Sequence, residues 1–108
     1  MHDLDDTQWD DLRELHQLAS LADMETDAAL YSGNLDDAKT AIQAVVTAAD
    51  ALALPDGLAS ELQRLALAAL QATDASGEMK ARASGAMRAV DEIERAIESR
   101  FSAAGRRL

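Results

Sequence analysis

The sequence has no cysteine, one proline and only three aromatic residues in a chain of 108 residues. The absence of cysteine excludes disulfides, thiolate metal sites and thiol nucleophiles. The three aromatic side chains, Trp9, Tyr31 and Phe101, are too few to form a platform for stacking nucleic-acid bases. Alanine (24 residues) and leucine (15 residues) dominate instead. This composition favours helix over sheet, because alanine loses no side-chain entropy in a helix.

Long apolar runs are also missing. No stretch of about 18 apolar residues is present, so we expect no membrane-spanning segment. The first six residues, MHDLDD, lack the basic start and the apolar stretch that a secretory leader requires. Together with the absence of cysteine, these features predict a cytoplasmic protein.

Positive charge is scarce in the first half of the chain. The formal net charge is -10; residues 1–62 carry 14 acidic and 2 basic side chains, whereas residues 63–108 carry 6 acidic and 8 basic ones. Such an acidic half repels phosphate and attracts basic partners. We therefore expect the partner to be a basic protein surface, for example on a nucleic-acid-processing complex. Direct nucleic-acid binding is disfavoured, and its only weak candidates are Arg106 and Arg107.

Apolar residues spaced alternately by three and four predict four amphipathic helices, at about 8–31, 35–53, 58–73 and 77–101. Turn residues separate them, most clearly Gly33 and Pro55. Because the connections are short, consecutive helices should be antiparallel neighbours.

The sequence thus predicts an all-α, up-down antiparallel four-helix bundle, with a helical-hairpin dimer as the alternative. The bundle domain is expected at 7–102. It would follow a disordered acidic N-terminus at 1–6 and precede a flexible basic tail at 103–108.

Local signals predict how individual helices begin, end and cross. Thr7 with Asp10 three residues later predicts the N-cap of the first helix, and Gly33 predicts its left-handed end. Ser76 is the predicted cap of the fourth helix. Gly85 in the middle of that helix suggests a close crossing of two helices, since glycine is costly there otherwise.

Some apolar residues lie beside the predicted core stripes. Leu18 and Leu21 are expected to widen the apolar face of the first helix. Leu67 and Leu70 leave the third helix apolar over much of its circumference. That helix is therefore either the most buried one or the carrier of a secondary partner surface at Leu67 and Leu70.

Motifs that carry chemistry are not found. The two histidines, His2 and His16, belong to no metal-binding spacing, and calcium loops, phosphate-binding glycine loops and nucleophile elbows are absent from the sequence. We expect no metal, no cofactor and no catalytic residue. The enzymatic alternative is a small helical-bundle enzyme whose arginines point inward from the edges of the apolar stripes, at Arg64, Arg82 and Arg100.

A short, acidic, cysteine-free helical chain without a catalytic motif resembles in its composition small inhibitors carried by phages and mobile elements. These include anti-CRISPR proteins and nucleic-acid mimics, and bacterial immunity proteins share the profile. The expected function is a non-enzymatic inhibitor or adaptor that docks on a basic protein surface, and the alternative is a structural module that dimerises. The chain is accordingly expected to be a monomer or a homodimer. The predicted contact residues, which we call the acidic strip, are Asp3, Asp5, Asp6, Asp10, Asp11, Glu14, Asp36 and Asp37.

Overall fold

A computed structural model describes residues 4–54 and 57–108, and it contains four helices and no strand within those ranges. The helices are α1 (Asp6–Ser32), α2 (Asp36–Asp50), α3 (Leu58–Asp74) and α4 (Met79–Ala103). Each helix packs against two others: α1 and α3 each contact both α2 and α4. The predicted all-α four-helix bundle is therefore confirmed.

Side-chain contacts between the helices show that neighbours run in opposite directions. Gln8, near the start of α1, donates to the carbonyl of Ala53 just beyond α2. Between α1 and α4, His16 contacts Glu98 and Ser20 contacts Glu94. The later residue of α1 thus contacts the earlier residue of α4, which shows that the two helices are antiparallel. The result is an up-down bundle 45 Å long and about 20 Å across.

The buried core consists largely of residues from the predicted apolar stripes. Its large, fully buried side chains include Leu12 and Leu15 of α1, Ile42 of α2, and Ile93 and Ile97 of α4. At the end where α1 begins, Trp9 and Phe101 meet edge to face, with ring centroids 4.7 Å apart. At the opposite end a smaller cluster forms around Ala29, Leu35, Ala38 and Ala83.

The start of α1 differs from the prediction. Asp5, not Thr7, is the N-cap: its carboxylate accepts a hydrogen bond from the Gln8 N–H, and the Gln8 side chain accepts one from the Asp5 N–H. This reciprocal pair is a capping box with an acid and a glutamine in place of the threonine and Asp10. Leu4, just before the cap, is buried in the core.

Other helix ends differ by two or three residues. Helix α2 ends at Asp50, and the chain then runs alongside α1 with Leu52 and Leu54 packed on the core. Helix α4 begins at Met79 with Glu78 as its N-cap, so Ser76 is not the cap. Gly33 does close α1 in the left-handed conformation, with φ of 75°, as predicted.

Gly85 marks a close crossing of α3 and α4. A Cβ atom placed on Gly85 would lie 3.4 Å from the Cβ of Ala72. The two helices therefore lie close enough at this point for a single Cβ atom to fill the space between them. None of the four helices, over the part of the chain that the structure describes, combines the length and apolar character needed to cross a membrane.

Candidate partner-binding surface

The acidic strip contains residues of unequal availability. Asp5 is occupied as the cap of α1, Asp10 pairs with Arg13 at 3.0 Å, and Asp6 lies 3.7 Å from Arg106. All three remain exposed. Their charges are nevertheless partly balanced within the chain, so they are weaker candidates for a partner than their number suggests.

Asp36 and Asp37 have a local structural role. They are exposed in the first turn of α2, where the positive end of the helix dipole favours acidic side chains. The Asn34 side chain accepts a hydrogen bond from the Asp36 N–H at 2.8 Å and so caps the same helix end. Asp3 lies outside the described residues.

Asp11 and Glu14 are the members of the strip that face a groove. Both are exposed and make no ion pair with another residue in the described ranges. They line one side of an open depression of about 510 Å³ between α1 and α2, which we call the α1/α2 groove. Its other lining residues come from the second half of α2 and the segment that follows it: Ala44, Thr47, Ala48, Ala51 and Leu52.

The groove has an apolar floor and a negative rim. Alanines of α2 supply the floor, and the last turn of α2 contains no basic side chain to offset the negative end of its helix dipole. An arginine or lysine suits such a site, because its aliphatic stem can cover apolar surface while its charged head meets carboxylates. This groove is the most complete cation-receiving feature of the strip.

Helix α1 also has an exposed row that sequence reasoning did not recognise. Seven residues spaced alternately by four and three run along its outer side, and all seven are exposed: Asp10, Glu14, Gln17, Leu21, Met24, Ala28 and Tyr31. We call them the outer row. Leu21 was expected to widen the core face; instead it is 46% exposed, whereas Leu18 packs on the core.

The secondary surface predicted on α3 is only half present. Leu67 is 46% exposed, but Leu70 is partly buried against the main core. The exposed row around Leu67 is otherwise polar or charged, with Arg64 and Gln71 as its neighbours one turn away. Among the described residues of α3, Leu67 is thus the only large apolar side chain that is exposed.

A polar cluster ties α1 to α4 on another side of the bundle. His16 Nε2 lies 2.9 Å from Glu98 Oε2, and the Ser20 hydroxyl donates to Glu94 at 3.2 Å. Ligand atoms of His16, Glu94 and Glu98 lie within 4.8 Å of one another, as do those of Asp23, Asp91 and Glu94. The sequence showed no metal-binding spacing at His16, but the fold brings ligand atoms of these residues together from two helices.

Internal contacts engage much of this cluster. Besides the bonds of His16 and Ser20, Asp91 pairs with Arg95 at 3.1 Å. An imidazole and carboxylates in this arrangement suit a divalent cation chemically, but their internal contacts already give them a role in joining α1 to α4. A protein without metal stays our prediction.

Glu94 is the strained member of the cluster. Its Oε1 atom is buried and has no hydrogen-bond partner among the described residues. Burial raises the pKa of Glu94, and the adjacent Asp23 carboxyl raises it further by hydrogen bonding and repulsion; Ser20 and His16 oppose this rise. Burial and the neighbouring carboxyl thus both disfavour the charged form of Glu94 at this part of the α1/α4 contact.

Several arginines among the described residues are engaged in contacts within the chain. Arg64 pairs with Glu61 on the surface of α3, whereas Arg82 donates to the Thr73 carbonyl near the other end of that helix. In the tail, the Arg106 guanidinium lies over the Trp9 ring, 4.8 Å from its centroid. The Arg107 carbonyl accepts a hydrogen bond from Arg13. The tail thus folds back on the start of α1.

Comparisons with models of known families, with curated proteins and with solved structures found no significant match.

Proposed function

We propose that this chain is a non-enzymatic protein-binding protein, of the inhibitor or adaptor type, that docks on a basic surface of a partner protein through the α1/α2 groove. One observation supports the proposal above all: Asp11 and Glu14 line a groove whose floor is made of alanines. Both acids are exposed and make no ion pair within the described ranges. Basic side chains of the partner would enter the groove, with their aliphatic stems on the alanines and their charged heads at the two carboxylates.

The unbalanced charge of the neighbouring helices supports the same choice. Within its bounds α1 carries seven acidic residues and one basic residue, and α2 carries three and one. A surface of this sign speeds the approach of a basic partner and makes binding sensitive to salt. Screening limits the attraction between exposed charges to about 8 Å at physiological ionic strength, so the groove residues should matter far more than distant acids.

The first experiment measures the affinity of a defined basic probe. The probe is a labelled, alanine-based helical peptide of 22 residues with arginines along one face, which we call the all-arginine probe. Asp11→Asn with Glu14→Gln should weaken its binding about tenfold, since two exposed charge pairs are worth up to about 1 kcal/mol each. The salt dependence should fall in parallel.

The matched control removes the same charge elsewhere. Asp36→Asn with Asp37→Asn also deletes two negative charges, but Asp37 and Thr47 are ten residues apart on α2, or about 15 Å. Binding of the all-arginine probe to this variant should stay within about twofold of the unaltered protein. Equal losses in the two variants would show that only net charge matters, and the proposed site would then be wrong.

A further inference from the structure

The outer row of α1 changes character halfway along its length. Asp10, Glu14 and Gln17 make its first half acidic or polar, while its second half is apolar: Leu21, Met24, Ala28 and Tyr31. Leu21 is 46% exposed, Met24 66% and Tyr31 87%. These three account for most of the large exposed apolar side chains among the described residues, since the others are Leu67 and Leu108.

The spacing of this row is that of a helix-binding seam. Alternating steps of four and three keep seven side chains on one line of an α-helix, as in a coiled coil. From Asp10 to Tyr31 the row spans about 30 Å, at 1.5 Å per residue. The buried row of α1, which packs against α2 and α4, has the same spacing. Helix α1 is thus built to contact helices on two opposite sides.

Charge decides what kind of helix fits on the outer row. If the outer rows of two copies packed together in parallel, Asp10 and Glu14 of one copy would face Asp10 and Glu14 of the other. In the antiparallel direction the contact would bury those carboxylates against Ala28 and Tyr31, and an unpaired charge on apolar surface is costly. A helix with basic residues opposite the acidic half and apolar residues opposite Leu21 to Tyr31 complements the row along its whole length.

We infer that the outer row binds one amphipathic helix of a partner protein, basic over one half of its contact face and apolar over the other. This inference rests on the proposed function and specifies that the contacting element of the basic partner is a helix. The two surfaces are continuous, because Glu14 belongs both to the outer row and to the α1/α2 groove. The basic half of the partner helix lies beside the groove. Its apolar half covers Leu21, Met24 and Tyr31.

The test compares two probes and two matched variants. The second probe, which we call the half-and-half probe, keeps arginines on half of the contact face and carries leucines on the other half; it is made with the arginines first and with the arginines last. The variants are Leu21→Gln and Leu67→Gln, the same substitution at two helical leucines that are each 46% exposed. Glutamine is a good helix former, so both variants should fold.

One order of the half-and-half probe should bind the unaltered protein about tenfold more tightly than the all-arginine probe. Leu21→Gln should remove most of that gain, an approximately five- to tenfold loss from the apolar area no longer covered. Leu67→Gln should change the affinity less than about twofold. Binding of the all-arginine probe should be the same in both variants.

Three other outcomes would contradict the inference, and one of them would also contradict the proposed function. If neither order of the half-and-half probe gains affinity, or if Leu21→Gln and Leu67→Gln behave alike, the inference is wrong, while the loss caused by Asp11→Asn with Glu14→Gln still supports the proposed function. If that acidic variant binds both probes normally, the proposed function fails and the inference fails with it. If light scattering shows a dimer that Leu21→Gln dissociates, a second copy covers the row and the inference is overturned.

Discussion

Glu94 shows how burial and a neighbouring carboxyl can together disfavour the charged form of a single side chain. Its neighbours on α1 are His16, Ser20 and Asp23, and on its own helix Asp91 and Glu98 lie one turn away on either side. Because burial and Asp23 raise the pKa of Glu94, the folded protein holds the proton of this carboxyl more tightly than the unfolded chain does. Stability is therefore lost as the pH rises through the raised pKa and the group ionises.

Replacing Glu94→Gln should raise the melting temperature at pH 7. A glutamine removes the negative charge, accepts the hydrogen bond of Ser20 and donates one toward Asp23. The difference in melting temperature between the variant and the unaltered protein should shrink toward about pH 4, because an ordinary glutamate is itself largely protonated there. Thermal unfolding followed by circular dichroism at both pH values measures this.

Glu92→Gln is the control for that experiment, since Glu92 is exposed and lies only two residues away on α4. It changes the net charge by the same amount without touching the cluster. If the two glutamine variants have the same melting temperature at pH 7, the Asp23–Glu94 contact carries no strain.

At the scale of the helices, the α3/α4 crossing depends on two small residues. Gly85 lies opposite Ala72, and a Cβ on Gly85 would reach ordinary contact distance at 3.4 Å. The crossing therefore has room for one methyl group and no more. Glycine is a poorer helix former than alanine, so the present sequence forgoes stability at this point.

Gly85→Ala should stabilise the protein by roughly 0.5–1 kcal/mol, through helix propensity and the added contact. Gly85→Leu should destabilise it by about 1–3 kcal/mol or more, because the larger side chain forces α3 and α4 apart. Urea unfolding followed by circular dichroism gives both values. A destabilising alanine, or a leucine without cost, would show that the crossing is placed wrongly.

The helices were predictable because each carries a regular apolar stripe, and the short connections indicated antiparallel neighbours. The outer row was not recognised, although Leu21, Met24, Ala28 and Tyr31 repeat at the same spacing as the core row. Leu21 lies beside Ala22, so spacing alone could not show which of two parallel rows faces the core.

The polar cluster was beyond sequence reasoning for a different reason. His16 and Glu98 are 82 residues apart, and nothing local to either residue sets how far α1 slides along α4. That register follows from side-chain packing in the core, for example the contact of Trp9 with Phe101 at one end. The same packing brings the tail back to α1, where Arg106 covers Trp9.

At the scale of the whole molecule, charge and apolar exposure coincide on one helix. Helix α1 carries the two groove acids and most of the large exposed apolar side chains among the described residues. The exposed row on the outer side of α4 is largely charged, with Arg88, Glu92 and Arg95 in succession. This coincidence is why we propose that α1, and not α4, receives the partner helix.

Backbone amide NMR can locate the binding surface residue by residue. Unlabelled half-and-half probe is titrated into ¹⁵N-labelled protein, and shift changes are mapped on the helices. If the outer row binds the partner helix, the expected result is that the largest changes follow that row from Glu14 to Tyr31 and include the groove residues Thr47 and Ala48. Changes centred on α3 or α4, or spread over all acidic residues including Asp36 and Asp37, would contradict it.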